Sequence, residues 1–447
     1  MRKKIFAWLV ASPPRTLALG FAFIIALGSF LLHLPFAASD GEQTRYIDAL
    51  FTATSATCVT GLVVVDTGDH YSMFGEIVIL AMIQIGGLGF MSMATLFAIF
   101  LKRRISLKER LILQEALNQS SIEGIVRLVR RVVLYALSVE AAGALLFSIR
   151  FLRDMSPERA IYYGIFHSVS FFNNAGFDLM GSFRSLTGYV DDPWVNLVAM
   201  ALIVTGGLGF VVLSDLTDWR SGRRLSLHSK VVLSMSGSLI LFGAIVVFAF
   251  EYSNPGTMGP LDTGTKILSA FMQSVSPRTA GVNTLDLTAL RQATQFFIIL
   301  LMFIGASPGS TGGGIKTTTF AALLGAVWAI IRGREDVVMF RYRLAQERVY
   351  KALTLTLLAL ALVLAATMIL STTEDHHFLM ILFEVVSAFG TVGLTMGLTT
   401  DLTLFGKIVI MLMMFAGRLG PLTLGYALVP KRDKVLYREA EGKIIIG

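Results

Sequence analysis

The sequence predicts an all-α integral membrane protein built from four parallel repeats, and two observations carry this prediction. First, 54% of the 447 residues are hydrophobic, 15% are charged, and the mean hydropathy is +0.70, which lies outside the range of soluble domains. Second, one sequence motif, which we call the glycine phrase, occurs four times, each time between two apolar segments. It consists of a phenylalanine and a glycine ten residues later. The copies are Phe51–Gly61, Phe166–Gly176, Phe271–Gly281 and Phe383–Gly393.

Long apolar segments predict the membrane-spanning helices, because about 20 helical residues cross the hydrocarbon core. We expect eight spans. The segment Phe296–Ile331 is too long for one span and is interrupted by glycine, serine and threonine. Between each odd and even span lies a shorter apolar segment of about 12 residues, too short to cross, which predicts a re-entrant helix. The other seven spans are Leu17–Pro35, Ile77–Leu101, Val132–Leu152, Trp194–Leu216, Val231–Phe250, Val349–Ile369 and Leu404–Leu428.

The distribution of lysine and arginine predicts the topology. Cations gather near the N-terminus and in every second connection, while the connections between them are poorer in cations and contain several acids. By the positive-inside rule the basic segments and both termini are cytoplasmic, so the number of spans is even. Topology therefore accounts for the net charge of +8, and we expect no nucleic-acid partner. The basic connections and tail are Lys102–Arg131, Arg220–Lys230, Arg332–Lys351 and Lys431–Lys443.

Each predicted unit consists of a spanning helix, a short re-entrant helix, the glycine phrase and a second spanning helix. All units run in the same direction, so the four phrases lie at one depth around a pseudo-fourfold axis. Inverted repeats would instead favour a rocking transporter with a site at the midplane. The predicted boundaries are 1–115, 116–225, 226–340 and 341–447, the last including the C-terminal tail.

The glycine phrases predict a cation pore. Non-helical backbone is tolerated at membrane depth only where it lines an aqueous or protein-enclosed path. Carbonyl oxygens there can replace the water around a cation, and glycine permits the backbone twist that turns them inward. Glycine can also simply allow close helix packing, but four copies at one spacing favour the pore. We therefore predict a cation selectivity filter formed by Val59, Thr60, Gly61, Leu62, Asn174, Ala175, Gly176, Phe177, Thr279, Ala280, Gly281, Val282, Thr391, Val392, Gly393 and Leu394.

With these four phrases, the GGLG sequences at Gly86 and Gly206 and the sequence GASPGSTGGGIKTTT at Gly305–Thr319, nearly the whole chain resembles the Trk/Ktr/HKT superfamily of potassium transporters. Within it, the chain is most similar to the KtrB-type membrane subunits of Ktr systems. The resemblance implies potassium uptake across the bacterial plasma membrane by a homodimer with one pore per subunit. It also implies a cytosolic regulatory ring of the KtrA type, whose RCK domains bind ATP or ADP, and no cofactor in this chain. Glycine rather than serine at Gly61 favours potassium, while cotransport of sodium, or activation by it, stays open.

The glycine-rich block Gly305–Thr319 resembles a Walker A phosphate loop only superficially. That motif needs glycine directly before its lysine, and Ile315 precedes Lys316 here. By its position in the third repeat, the block lies within the inner helix of that unit, where a polar insertion would obstruct a conduction path. The superfamily has an intramembrane gating loop in the corresponding place, so we expect a gate. Its predicted residues are Gly305, Ser307, Pro308, Gly309, Ser310, Thr311, Gly312, Gly313, Gly314 and Lys316, together with Arg418.

Arg418 lies inside the last predicted span, where a cation is costly and usually faces a cavity or a partner. The resemblance implies a role below the filter, in which its charge weakens ion binding and favours inward release. The alternative is a structural pairing with Glu384. For Glu140, in the third span, we expect a helix–helix contact.

The third unit departs from the other three within the phrase. Val275 stands where the other phrases have Ser55, Ser170 and Ser387, and Arg278 follows it. We therefore expect a less regular third wall.

Two further expectations concern chemistry and partners. We find no nucleophile–base pair, carboxylate dyad or cysteine cluster in the sequence, which predicts that the protein is not an enzyme and has no transition-metal site. A carrier for another small solute or for sodium, with the phrases as helix breaks around a midplane site, remains the alternative function. The basic segment Arg332–Lys351 is predicted to be helical and to dock the regulatory partner.

Overall fold

The computed structural model describes residues 13–101, 105–116, 124–220, 222, 224–421, 423 and 425. The basic N-terminus, part of the segment Lys102–Arg131 and the tail Lys431–Lys443 lie outside the described residues. The predicted cytoplasmic position of both termini therefore stays a prediction.

The described chain is almost entirely helical. The α-helices are α1 Pro13–Leu32, α2 Tyr46–Cys58, α3 Thr67–His70, α4 Met73–Leu88, α5 Phe90–Phe100, α6 Leu107–Ala116, α7 Ile125–Phe151, α8 Pro157–Phe172, α9 Pro193–Leu208, α10 Phe210–Arg220, α11 Leu227–Glu251, α12 Thr263–Val275, α13 Gln292–Phe303, α14 Thr317–Ile331, α15 Gln346–Thr373, α16 Phe378–Gly390, α17 Leu398–Asp401 and α18 Leu404–Leu419. Two short 3₁₀ helices, Pro35–Ala37 and Thr187–Tyr189, and a hairpin of β1 Val338–Met339 and β2 Tyr342–Arg343 complete the structure.

Four of these helices are long and apolar enough to cross a membrane: α1, α7, α11 and α15. Leucines and phenylalanines on their outer faces are exposed, among them Phe23, Leu145, Phe242 and Leu357, as lipid contact requires. Each long helix is followed by a shorter one (α2, α8, α12 or α16) and, after a connection with at most one helical turn, by an inner helix (α4, α9, α13 or α18).

The inner helices are broken, and in this respect the predicted continuous spans were wrong. Ile77–Leu101 divides into α4 and α5 at Gly89, and Trp194–Leu216 divides into α9 and α10 at Gly209 with a bend of 98°. Gly89 and Gly209 have φ of 81° and 93°, which residues with a Cβ seldom adopt. If that bent pair counts as one span, the described residues contain up to five candidate spans.

Buried carboxylates fix the outer ends of the long helices to the inner helices. In the third unit, Glu251 at the end of α11 accepts hydrogen bonds from the Arg291 N–H at 3.0 Å and from the Thr294 hydroxyl. In the fourth unit, Glu374 accepts from the Thr403 N–H at 3.0 Å and from its hydroxyl at 2.6 Å. Both carboxylates thus satisfy groups at the start of an inner helix, which would otherwise lack partners.

The predicted helix over Arg332–Lys351 was wrong. The segment contains the β1–β2 hairpin, and α15 begins only at Gln346. Phe340 and Arg341 occupy the turn with φ of 47° and 70°, the left-handed conformation that a tight hairpin turn demands. The hairpin packs against α14 through Met339, whose methyl group lies beside Gly325.

Candidate functional site

The four phrase glycines form a closed ring of backbone contacts, which we call the glycine ring. A Cβ added to any of them would come too close to the carbonyl oxygen that precedes the glycine of the next unit. The distances from that Cβ are 2.3 Å for Gly61 to Ala175, 2.5 Å for Gly176 to Ala280, 2.3 Å for Gly281 to Val392 and 2.2 Å for Gly393 to Thr60. Since the last contact returns to the first unit, the four segments enclose one axis.

The backbone takes the same unusual conformation in all four segments. The glycine and the residue two positions before it both have positive φ, a combination that costs energy for the non-glycine member. The pairs are Val59 at 58° with Gly61 at 90°, Asn174 at 58° with Gly176 at 70°, Thr279 at 76° with Gly281 at 72°, and Thr391 at 49° with Gly393 at 93°. Four repetitions of a strained conformation indicate a functional backbone, and the side chains vary while the dihedral angles do not.

The short helices direct their C-termini toward this ring. They end at Cys58, Phe172, Val275 and Gly390, with at most three residues between each end and its glycine segment. A helix C-terminus carries a partial negative charge from its free carbonyl groups. Four such ends beside one axis favour a cation there.

A cavity of about 490 Å³ lies on one side of the ring and is lined by all four ring glycines. Asp66, Asp178 and Asp286 also line it. Carboxylates around a concave mouth raise the local concentration of cations, so this side suits cation entry.

In three units a serine of the short helix is hydrogen-bonded to the glycine segment, an arrangement that we call the serine clasp. The serine hydroxyls have no exposed surface, so these bonds are protected from water. The bonds are Gly61 N–H to Ser55 Oγ at 3.0 Å, Gly393 N–H to Ser387 Oγ at 3.1 Å, and Ser170 Oγ–H to the Phe177 carbonyl at 2.6 Å. The clasp fixes the segment to its helix. In the sequence, the only signal for it is the serine that recurs four residues after the phenylalanine.

The glycines 24 to 30 residues after the ring have a packing role. A Cβ on Gly86, Gly206 or Gly417 would lie 2.1, 1.8 or 1.9 Å from the carbonyl oxygen of Thr57, Phe172 or Phe389, respectively. Each of those carbonyls belongs to the end of the short helix in the same unit. The glycines therefore let the inner helices approach the backbone that supports the ring. Gly305 differs, because its Cβ would instead meet the Gly313 carbonyl at 2.2 Å.

The glycine-rich block replaces the middle of the third inner helix, as predicted: α13 ends at Phe303 and α14 begins at Thr317. Backbone hydrogen bonds fix the block to the second unit. They run from the Ser307 N–H to the Gly207 carbonyl at 3.0 Å, from the Thr311 N–H to the Gly206 carbonyl at 3.3 Å, and from the Phe210 N–H to the Gly309 carbonyl at 2.9 Å.

The block also lies directly against the glycine segments. A Cβ on Gly312 would lie 2.0 Å from the Thr279 hydroxyl, and one on Gly313 would lie 2.4 Å from the Thr391 hydroxyl. Lys316 donates to the Gly312 and Gly313 carbonyls at 2.7 and 3.2 Å. The lysine therefore closes the block on itself, which does not resemble a lysine in a phosphate-binding loop.

Arg418 connects three units. Its guanidinium donates to the carbonyls of Thr311 and Gly86, and to that of Gly87 at 3.1 Å. It also lines a cavity of about 260 Å³ that the glycine-rich block and Lys316 share. A side chain of the fourth unit thus attaches the block of the third unit to α4 of the first.

The alternative considered for Arg418, a pairing with Glu384, was wrong. Glu384 accepts instead from the hydroxyls of Thr395 at 2.7 Å and Thr399, so it holds the chain that follows the fourth glycine segment. Glu140 meets its expectation as a helix–helix contact: it accepts from Gln84 at 3.1 Å and from Asn173 at 2.9 Å.

The last residue of each glycine segment has a buried side chain. Leu62, Phe177, Val282 and Leu394 are at most 1% exposed. Within the described part of the chain, no group of three histidine, cysteine or acidic side chains could hold a metal ion.

Known proteins share this sequence over its full length. The Ktr system potassium uptake protein B of Bacillus subtilis strain 168 is 44% identical, covering 100% of this chain and 99% of its own. The potassium/sodium uptake protein NtpJ of Enterococcus hirae is 40% identical with the same coverage. The Ktr system potassium uptake protein B of Vibrio alginolyticus is 40% identical over 97% of this chain and 95% of its own.

A solved structure shares the fold. The crystal structure of the potassium transporter TrkH from Vibrio parahaemolyticus matches with a TM-score of 0.72 at 20% identity, over 92% of this chain and 84% of that one. Residues 23–431 match the TrkH family, which is described as a cation transport protein. The chain therefore belongs to the TrkH family of cation transporters, together with the Ktr potassium uptake proteins.

Proposed function

We propose that this chain is the pore-forming subunit of a potassium uptake system of the bacterial plasma membrane. The observation that carries the proposal is the closed contact of Gly61, Gly176, Gly281 and Gly393, each against the backbone of the next unit. The carbonyl oxygens of the four segments, residues 59–62, 174–177, 279–282 and 391–394, replace the hydration shell of the ion and form its selectivity filter.

Selectivity follows from the tightness of the ring. The backbone of the next unit leaves no room for a Cβ at any of the four glycines, so the segments are closely packed around the axis. A ring of fixed carbonyls compensates the dehydration of one ion size better than another. The names of the Ktr relatives support potassium, and the name of the Enterococcus relative makes sodium the second ion to test.

The glycine-rich block acts as the gate in this proposal. It lies against Thr279 and Thr391 at the ring, and an ion leaving the filter would have to pass it. Arg418 holds the block closed through the Thr311 carbonyl. Movement of α14 would pull the block away from the ring, because the last three residues of the block form the start of α14.

The chain crosses the membrane eight times in four parallel units over 1–115, 116–225, 226–340 and 341–447, with both termini cytoplasmic. It works as a homodimer under a cytosolic, nucleotide-binding regulatory ring, and the two relatives named for a Ktr system support such a partner. A carrier for another solute is the competing function, and rubidium flux above carrier rates in liposomes would exclude it.

Uptake of ⁸⁶Rb⁺ and ²²Na⁺ into proteoliposomes tests the filter. Gly61→Ser and Gly393→Ser should each lower the preference for rubidium over sodium by about tenfold or more, since a Cβ forces the ring open. Gly237→Ser is the matched control, because nothing lies within 4 Å of a Cβ at Gly237. Unchanged ion preference in both ring variants, with folded protein, would exclude these glycines from the filter.

A further inference from the structure

The third glycine segment lacks a serine clasp. Val275 occupies the place of the clasp serine and has no hydrogen-bonding group. The Gly281 N–H instead shares the Ser276 carbonyl, at 3.4 Å, with the Ala280 N–H, at 2.9 Å, so the third segment has backbone bonds here in place of a side-chain bond. The third segment therefore lacks the side-chain attachment that a serine gives the other three.

Arg278 is the side chain in a position to supply this attachment. It stands three residues before Gly281, where the other units have Cys58, Asn173 and Gly390. Its guanidinium donates to the Ser236 carbonyl and to the Ser236 hydroxyl, both at 3.1 Å. Ser236 lies on α11, so the third segment is tied to the long helix of its unit rather than to its short helix.

The surroundings of Arg278 are unusual for an arginine. Only 8% of its surface is exposed, and no carboxylate among the described residues forms an ion pair with it. With Ser236, Val275 and Gly207 it lines a cavity of about 10 Å³, the size of one water molecule. A guanidinium buried without a counter-ion is costly at membrane depth, so it is expected where its bonds serve a function.

We propose that Arg278 is a positioning residue of the selectivity filter, which replaces the serine clasp in the third unit and couples that wall of the filter to α11. The inference rests on the proposed function, because it assigns Arg278 to a filter that the glycine ring forms. It assigns no ion contact to Arg278, whose bonds lead away from the ring to Ser236.

The test is the ratio of ⁸⁶Rb⁺ to ²²Na⁺ uptake in proteoliposomes, measured for protein recovered as a single folded species. Arg278→Met should reduce this ratio about tenfold, the size expected when hydrogen bonds from a charged group are lost. Ser55→Ala, which removes the clasp of the first unit, should reduce it similarly. Ser236→Ala should give a smaller loss, since the carbonyl acceptor remains, and it keeps the test decisive if Arg278→Met does not fold.

A compensating variant separates positioning from a general packing role. Val275→Ser restores the serine found in the other three units and should by itself leave the ratio unchanged. Combined with Arg278→Met, it should recover most of the lost ion preference, which a packing defect at Arg278 would not allow. No loss of ion preference in Arg278→Met and Ser236→Ala would overturn the inference. Gly281→Ser separates a failure of the role of Arg278 from a failure of the filter assignment on which that role rests. If Gly281→Ser also keeps the wild-type ion preference, the filter assignment itself has failed.

Discussion

Lys407 at the start of α18 donates to Asp48 in the first turn of α2 at 2.7 Å, across 359 residues of sequence. The two side chains are only 16% and 12% exposed. Their ion pair therefore joins the fourth unit to the first at the level where the short helix begins, and it closes the circle that the glycine ring closes deeper in the molecule.

This pair should stabilise the folded ring measurably. We expect Lys407→Met or Asp48→Asn to lower the free energy of unfolding by about 2 kcal/mol, between the values for exposed and buried pairs. Thermal unfolding in detergent measures the loss, and the double variant gives the coupling. If the two losses simply add, the residues do not interact and the pair does not hold the circle closed.

The glycine ring could be predicted because repetition makes it visible. Each unit alone offers one glycine in a polar phrase, and glycine in membrane helices is common. Four copies at one spacing indicate a shared backbone conformation, and Val59, Asn174, Thr279 and Thr391 do share the positive φ. The same spacing located the glycine-rich block in the third inner helix.

Contacts between side chains and carbonyls could not be predicted. Arg418 binds the carbonyls of Thr311, Gly86 and Gly87, and a backbone carbonyl has no sequence signature. A search for a charged partner therefore led to Glu384, which was wrong. The hairpin after α14 was missed for a local reason: Phe340 and Arg341 are poor turn residues by propensity, yet both adopt left-handed φ.

The guanidinium group of Arg418, which bonds three carbonyls at once, should be necessary for closure of the gate. Lysine keeps the charge but is a point donor that cannot hold carbonyls in the planar geometry of a guanidinium. We expect Arg418→Lys to raise basal rubidium uptake without the regulatory partner by a few fold, and Arg418→Met to raise it about tenfold. If Arg418→Lys behaves as wild type, the charge alone suffices and the attachment to Gly86 is dispensable.

The β1–β2 hairpin is the expected contact for the regulatory partner, because it leads directly from α14 to α15 and exposes Arg341 at its turn. Arg341→Glu should weaken assembly of the complex and its response to nucleotide. Arg343 forms an ion pair with Asp336 at 2.8 Å, so Arg343→Glu must be combined with Asp336→Arg to keep the hairpin intact. Normal assembly of both variants in pull-down and flux assays would place the docking surface elsewhere.

Removal of the glycine-rich block is the most direct test of the gate. Deleting Pro308–Gly313 removes the Thr311 carbonyl that Arg418 binds and both carbonyls that Lys316 binds. The ends of the block are already joined, since the Ile315 N–H donates to the Phe303 carbonyl and the Thr317 N–H to the Ala306 carbonyl, both at 3.3 Å. Helices α13 and α14 should therefore keep their places.

We expect the deletion to raise rubidium flux about tenfold or more and to make it largely independent of the regulatory subunit and its nucleotide, because the obstruction below the filter is gone. Ion preference should stay that of the wild type, since the glycine ring is untouched; Gly61→Ser should show the reverse, altered preference with normal regulation. A folded deletion variant that conducts no faster than wild type in the absence of the partner would falsify the gate. The block would then serve as a structural hinge between α13 and α14, and regulation would have to act on the filter itself.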